Sequence, residues 1–321
     1  MKPFTYEVAD DLPSALAVLN NNGRTLKAGG IDLLDRMKER LELPGRVVSI
    51  GNIGSLRYIK EEGGAIRIGC LTTLADIGRS ELLKQHFPAL YESAGGAATP
   101  QVREQATLGG NLCQRPRCWY YRSIDFHCLK KGGGTCYAVE GENQYHAVIG
   151  GGPCHIVHPS NCAPPLLAAD ADLVIKNADG ERPIKAADFF RLPRESMYAE
   201  NILQPGEVVT EAVIRSVPTR SASVELREKQ SFDWPMAMAS VARVDGRWRV
   251  CLGAVAPVPW LSKPAMDVLG TSDINPGLAA KAGEAAAGEA EPMSQNSYKV
   301  QLIKVAVKRA LLAAAGVEDK S

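Results

Sequence analysis

The feature that most constrains this chain is a crowding of sulfur. Cys113, Cys118, Cys128, Cys136, Cys154 and Cys162 place six of its eight cysteines within fifty residues. The stretch is entered through Thr107-Leu108-Gly109-Gly110-Asn111 and left through His158-Pro159-Ser160-Asn161. Disulfide frameworks belong to short exported domains. This chain has 321 residues and begins Met1-Lys2-Pro3-Phe4 with no apolar leader run, so clustered thiols point to a metal instead. Zinc sites generally pair cysteines about two to four residues apart. Here the gaps between Cys118, Cys128, Cys136 and Cys154 are nine, seven and seventeen residues. Such gaps suit a larger inorganic body held by loops, and a [4Fe–4S] cluster needs four thiolates. Gly132-Gly133-Gly134 and Gly150-Gly151-Gly152 would let amides approach cluster sulfides. Arg115, Arg117, Arg122, Lys130 and Lys131 would offset the cluster's charge. A cluster is the leading expectation, with structural zinc and free thiols as the alternatives; on counting alone Cys113 or Cys162 could replace one ligand. His127, beside Cys128, could ligate, although a hydrogen-bonded loop histidine is the plainer reading. Cys70 and Cys251 stand apart and read as buried small hydrophobes.

The rest of the chain reads as two or three domains. Its 37 Lys+Arg and 36 Asp+Glu nearly cancel, which argues against nucleic-acid binding driven by bulk charge. No run approaches the ~18–20 apolar residues of a membrane span. Residues 4–60 read as an α/β unit. Asp11 caps its first helix, which Asn20-Asn21-Asn22-Gly23 ends, and Lys27-Ala28-Gly29-Gly30-Ile31-Asp32-Leu33 joins a strand to the next helix. Two glycines there let amides and a helix N-terminus face an anionic phosphate, although an ordinary tight turn has the same letters. Thr107 to Asn111 repeats the pattern after a short β segment. The pair suggests a dinucleotide, but neither turn is the GxGxxG of a Rossmann unit. Strands are expected at 173–175 and 208–214, and a domain boundary at Val217-Pro218-Thr219. Beyond it, 236–244 and 247–252 form a hairpin through Asp245-Gly246. Residues 254–260 are a candidate third strand, limited to an edge by Pro257 and Pro259, and helices follow at 277–290 and 297–315. No Ser/His/Asp order or carboxylate pair marks a hydrolytic site.

Three stretches carry a resemblance: Ala28-Gly29-Gly30-Ile31-Asp32-Leu33, Thr107-Leu108-Gly109-Gly110-Asn111-Leu112 and His158-Pro159-Ser160-Asn161. Together they resemble the FAD-binding medium subunit of molybdenum hydroxylases, the xanthine dehydrogenase and carbon monoxide dehydrogenase family. The cysteine insert narrows the resemblance to flavoprotein subunits that carry an extra [4Fe–4S] cluster, as in periplasmic aldehyde oxidoreductase and the β subunit of 4-hydroxybenzoyl-CoA reductase. The resemblance implies an α+β fold: a PCMH-type FAD-binding domain of two α/β subdomains over residues 1–218, with the iron–sulfur insert at about 113–157. A small CO-dehydrogenase-flavoprotein-like domain of antiparallel sheet plus helices would follow over 222–318. Lys27 to Leu33 would hold the FAD pyrophosphate, and Thr107, Gly109, Gly110 and Asn111 would lie along the flavin. The family's Ser-Asp contact reads Ser160-Asn161 here. Cluster ligands carry over to Cys118, Cys128, Cys136 and Cys154. The family often has a lysine before Ser231-Phe232-Asp233-Trp234-Pro235 that reaches the flavin; the nearest register has Glu225, with Arg227 and Lys229 as neighbours.

The activity implied is that of an oxidoreductase subunit with no catalytic side chain of its own. Electrons would come from a large molybdopterin subunit through a small [2Fe–2S] subunit to FAD here, and leave to an external acceptor. A second reading sends electrons inward through the [4Fe–4S] cluster, as in the benzoyl-CoA reductase relative. A third is a zinc-stabilised scaffold protein with no redox role. The absence of a leader implies the cytoplasm, while export on a partner's signal would leave no trace here.

Overall fold

The computed structural model describes residues 1–19, 24–229 and 232–318. The expected helix stop at Asn20 to Gly23, and Ser231, lie outside the described residues. Among the described residues three sheets organise the chain. β1 (Thr5–Val8), β2 (Arg24–Lys27) and β3 (Arg46–Ser49) form a parallel sheet of order β1-β3-β2. The Asp11 carboxylate does cap helix Leu12–Leu19, accepting from the Ser14 amide at 2.8 Å. Parallel neighbours need crossovers, and helices Leu12–Leu19 and Ile31–Lys38 supply them.

The second sheet is antiparallel, in the order β4-β5-β8-β6-β7, from Ile59–Glu62, Ala65–Gly69, Asp172–Lys176, Glu181–Lys185 and Val208–Ile214 taken as β4 to β8. β8 is buried along its whole length and pairs with both β5 and β6. The chain therefore leaves this sheet after Gly69 and rejoins it at Asp172. Everything between, the cysteine stretch included, hangs from one sheet.

The third sheet, order β12-β11-β10-β9, runs over Arg220–Arg227 (β9), Pro235–Val244 (β10), Arg247–Gly253 (β11) and Trp260–Leu261 (β12). Asp245 and Gly246 both adopt positive φ at the β10–β11 turn, the conformation that a two-residue hairpin requires. Alternation splits the sheet between two cores. Val241, Val250 and Leu252 face helices Lys263–Leu269 and Tyr298–Ala315. Ala242, Val244 and Cys251 face helices Pro88–Gly96 and Ala163–Ala168. Cys251 and Cys70 are 0% and 3% exposed, as small core residues should be. No helix among the described residues is long and apolar enough to cross a membrane.

Two expectations are corrected. Of residues 254–260 only Trp260 is in a strand, at the edge as the prolines require. The Val255 and Ala256 carbonyls instead accept from the amides of Val148, Ile149 and His158, bracing the cysteine stretch. The β segment expected before Thr107 is helix Pro100–Gln105, and the sole β pairing there is the bridge Thr73–Thr107. Pro100 at the first helical position and Thr99 accepting from the Val102 amide account for it.

Helix Pro276–Ala287 lies close enough to Tyr298–Ala315 that a Cβ on Gly283 would sit 2.6 Å from the Lys304 carbonyl oxygen. Gly283→Ala should therefore cost about 1–3 kcal/mol by overpacking. Gly277→Ala, on the same helix with no contact below 3.4 Å, should stay within about 1 kcal/mol of wild type or gain. Denaturant unfolding of both variants checks the pair.

Candidate functional site

The two glycine turns meet. Gly30 has φ +85° and precedes helix Ile31–Lys38, whose N-terminus has no side-chain cap. A Cβ on Gly29 would fall 1.7 Å from the Gln105 carbonyl oxygen, so only glycine lets the first loop touch the second. Thr107 caps helix Leu108–Leu112 by accepting from the Gly110 amide at 3.2 Å, and the Gly109 amide donates to the Cys70 carbonyl at 2.8 Å. Between the loops opens a cleft of about 590 Å³. Lys27, Ala28, Gly29, Gly30, Ile31, Asp32 and Leu33 line it, with Thr107, Gly109, Gly110, Asn111 and Asn161 opposite.

Several expected contacts are spent elsewhere. Ser160 is not among the lining residues. Its hydroxyl donates to Asn111 Oδ1 at 2.6 Å and accepts from the Ala163 amide at 3.0 Å. The same Asn111 oxygen accepts from the Cys162 amide at 3.1 Å, so Asn111 and Ser160 act as a buried pin. Asn161 does face the cleft, and its Nδ2 donates to Glu225 Oε1 at 2.8 Å. Glu225 in turn pairs with Arg227. The Asp32 carboxylate binds Arg36, Arg117 and Arg122. Burial alone would raise this carboxyl, but those three guanidinium groups hold it below the usual range.

Of the four expected ligands, Cys118 follows the cleft-lining Arg117 directly in the chain, and none of the four lines the cleft itself. The Cys136 and Cys154 thiols lie close enough to act on each other, which holds the Cys136 thiol below and the Cys154 thiol above the usual thiol range. The field of Cys118 reaches Cys128 and Cys136; burial pushes its own thiol up to about 11. Amides aim at the sulfurs: Tyr120 and Tyr121 at Cys118, His155 and Ala138 at Cys136, Ile156 at Cys154. Aimed amides suit sulfur that carries negative charge. Among the described residues no group of three or more His, Cys, Asp or Glu is placed to hold a metal ion. His127 is exposed, whereas His146, 4% exposed, brings Nε2 to 3.2 Å from Cys118 Sγ. Cys113 lies against Cys70, and burial pushes both thiols up to about 12. Cys162 is wholly buried in the apolar core. Neither belongs with the four. The basic residues are corrected too. Arg117 and Arg122 pair with Asp32 and Asp35, Arg115 and Lys130 with Glu200, and Lys131 donates to the Ser123 carbonyl. They tie the stretch to the domain, and Lys130 also acts electrostatically on Cys154.

Two family models match. The FAD binding domain in molybdopterin dehydrogenase covers residues 2–215, and the CO dehydrogenase flavoprotein C-terminal domain covers residues 237–314. The chain belongs to the FAD-binding medium subunits of the xanthine dehydrogenase and CO dehydrogenase family. It is an oxidoreductase subunit with an FAD-binding domain. It is 32% identical to the aldehyde oxidoreductase FAD-binding subunit PaoB of Escherichia coli (strain K12), over 95% of this chain and 96% of that one. It is 27% identical to the carbon monoxide dehydrogenase medium chain of Hydrogenophaga pseudoflava, over 97% and 96%. A solved carbon monoxide dehydrogenase from Hydrogenophaga pseudoflava superposes with a TM-score of 0.76 at 25% identity, covering 98% of this chain and 99% of that one.

The cleft of this flavoprotein subunit fits FAD by its own chemistry. An uncapped helix N-terminus behind two glycines is an anion site, and the volume is that of a cofactor pocket. Sequence reading missed part of the wall: Arg117 from the insert, Glu207 before β8, and Phe232 with Trp234. Arg117 lies over the Trp234 ring at 5.1 Å. The residues come from segments far apart in the chain, and no period or motif joins them.

Gly29→Ala must drive the loops apart, so the variant should purify with little or no FAD, read from flavin absorbance per chain. Acid should act through Asp32. Its folded pKa is depressed, so its ion pairs contribute in full above an ordinary carboxyl pKa of about 3.9 and are lost as pH falls through the lower folded value. Asp32→Asn should be less stable than wild type at neutral pH and converge on it as pH falls through that lower folded value, measured by denaturation at each pH.

Proposed function

We propose that this chain is the FAD- and [4Fe–4S]-carrying electron-transfer subunit of a molybdenum hydroxylase complex of aldehyde oxidoreductase type. The observation that supports the reading is that Cys136 and Cys154 act on each other and Cys118 lies within electrostatic reach of Cys128 and Cys136, with amides aimed at three of these sulfurs, on a chain with an FAD-binding domain. In this reading the FAD-binding domain is 1–218, its insert about 113–157, and the C-terminal domain 222–318. The name of the Escherichia coli relative supports an aldehyde as the substrate class of the complex. The names of relatives as FAD-binding or medium subunits support partner chains, a large molybdopterin subunit and a small [2Fe–2S] subunit.

FAD, when bound, accepts electrons in pairs and releases them singly. The chain's own part is to bind and to shield. The Gly29-Gly30 turn and the first amides of helix Ile31–Lys38 would hold the pyrophosphate, and Thr107 to Asn111 with Asn161 would flank the ring system. Cys118, Cys128, Cys136 and Cys154 would hold the cluster.

Anaerobic purification of the full chain should give one FAD with about four iron and four sulfide per chain. Cys136→Ser should lose the iron and sulfide. A colourless chain holding zinc, with neither flavin nor sulfide, would sink the redox reading.

A further inference from the structure

The turn that carries Cys118 also carries a cation that grips the first glycine loop. Helix Trp119–Arg122 is a single turn, in which the Arg122 amide donates to the Cys118 carbonyl at 2.9 Å. The amides of Tyr120 and Tyr121, on the same turn, aim at the Cys118 sulfur. Its last side chain reaches the helix behind the first glycine loop: Arg122 stands 2.7 Å from Asp32 Oδ1 and 3.3 Å from Asp35 Oδ2. Arg117, just before Cys118, reaches Asp32 Oδ1 at 3.0 Å, and the Arg115 amide donates to Asp32 Oδ2 at 3.1 Å. Asp32 lies in the first turn of helix Ile31–Lys38, whose uncapped end opens on the cleft. The Arg122 and Asp32 side chains are 9% and 12% exposed, so salt screens them little and neither charge has an alternative partner in bulk water.

We propose that Arg122 and Arg117 are positioning residues for FAD, acting through Asp32, and that their clasp makes FAD affinity depend on occupation of the cysteine turn. The second half rests on the cluster reading above. With Cys118 ligated, the turn from 118 to 122 is already ordered and presents both guanidinium groups at no further cost. With the cysteines free, ordering that turn falls to the Asp32 contact, and FAD binding pays for it. Linkage makes the effect reciprocal, so bound FAD should tighten the cluster by the same factor.

The test is a mutant cycle on the full chain, reading the FAD dissociation constant by flavin fluorescence. Arg122→Gln and Asp32→Asn should each weaken FAD about tenfold, and the double variant should be no weaker than either single one. Anaerobic removal of iron should weaken FAD about tenfold in wild type and leave Arg122→Gln unchanged. Arg122→Lys, which keeps the charge, should recover part of the loss. Circular dichroism of each protein separates lost affinity from lost fold, and the wild-type comparison with and without iron stands even if a variant does not fold. Additive losses in the double variant would overturn the clasp. Equal FAD affinity of iron-loaded and iron-free wild type would overturn the coupling. A wild-type chain that purifies without iron and sulfide would overturn the cluster reading and the coupling, and the mutant cycle would then decide the clasp alone.

Discussion

One buried oxygen closes the cysteine stretch at its base. Asn111 Oδ1 accepts from Ser160 Oγ and from the Cys162 amide, joining residues 49 and 51 positions apart. A buried amide oxygen must be satisfied, and here both donors come from the returning strand of the loop. This pin lets the intervening chain wander through turns and single-turn helices while its ends stay together. Above the pin, β8 between β5 and β6 fixes where the chain departs and where it comes back. The second FAD-binding loop and the cysteine stretch are neighbours because both run through that one gate.

The insert is then braced from two sides. The FAD-binding domain holds it by charge, through Asp32 and Asp35 with Arg117 and Arg122, and through Glu200 with Arg115 and Lys130. The C-terminal unit holds it by hydrogen bonds and burial. Asn143 exchanges bonds with Ser294 and Gln295, Asn296 donates to the carbonyls of His146 and Ala147, and the buried Lys299 amine donates to the Tyr145 and Ala254 carbonyls. Val148 and Ile149 enter the C-terminal core itself. A loop with little secondary structure has few backbone bonds of its own, so its geometry is set by these outside partners.

Much of the architecture was legible in local pattern. The strand from 236 to 244, the Asp245-Gly246 turn and the two final helices lie where periodicity and turn chemistry put them. Residues 254–260 departed because Pro257 and Pro259 remove ladder donors, and because the carbonyls there were claimed by a segment about a hundred residues away in the chain. The single-turn helix at Leu108–Leu112 departed because a threonine cap and a preceding proline-started helix outweighed the turn preference of two glycines.

By itself the sequence determined which atoms are available: four cysteines at gaps too wide for a zinc knuckle, two glycine turns without side-chain obstruction, and a balanced charge. These are properties of residue type and near-neighbour spacing, which no folding can change. Only the tertiary structure decided how they are spent. Asn111 and Ser160 became a pin, the basic residues became ion pairs to Asp32 and Glu200, and His146 rather than His127 came to a cysteine sulfur. Partner choice among polar groups is settled by long-range proximity and by the cost of leaving a buried donor, acceptor or charge unpaired, and neither is written in any short stretch of the chain.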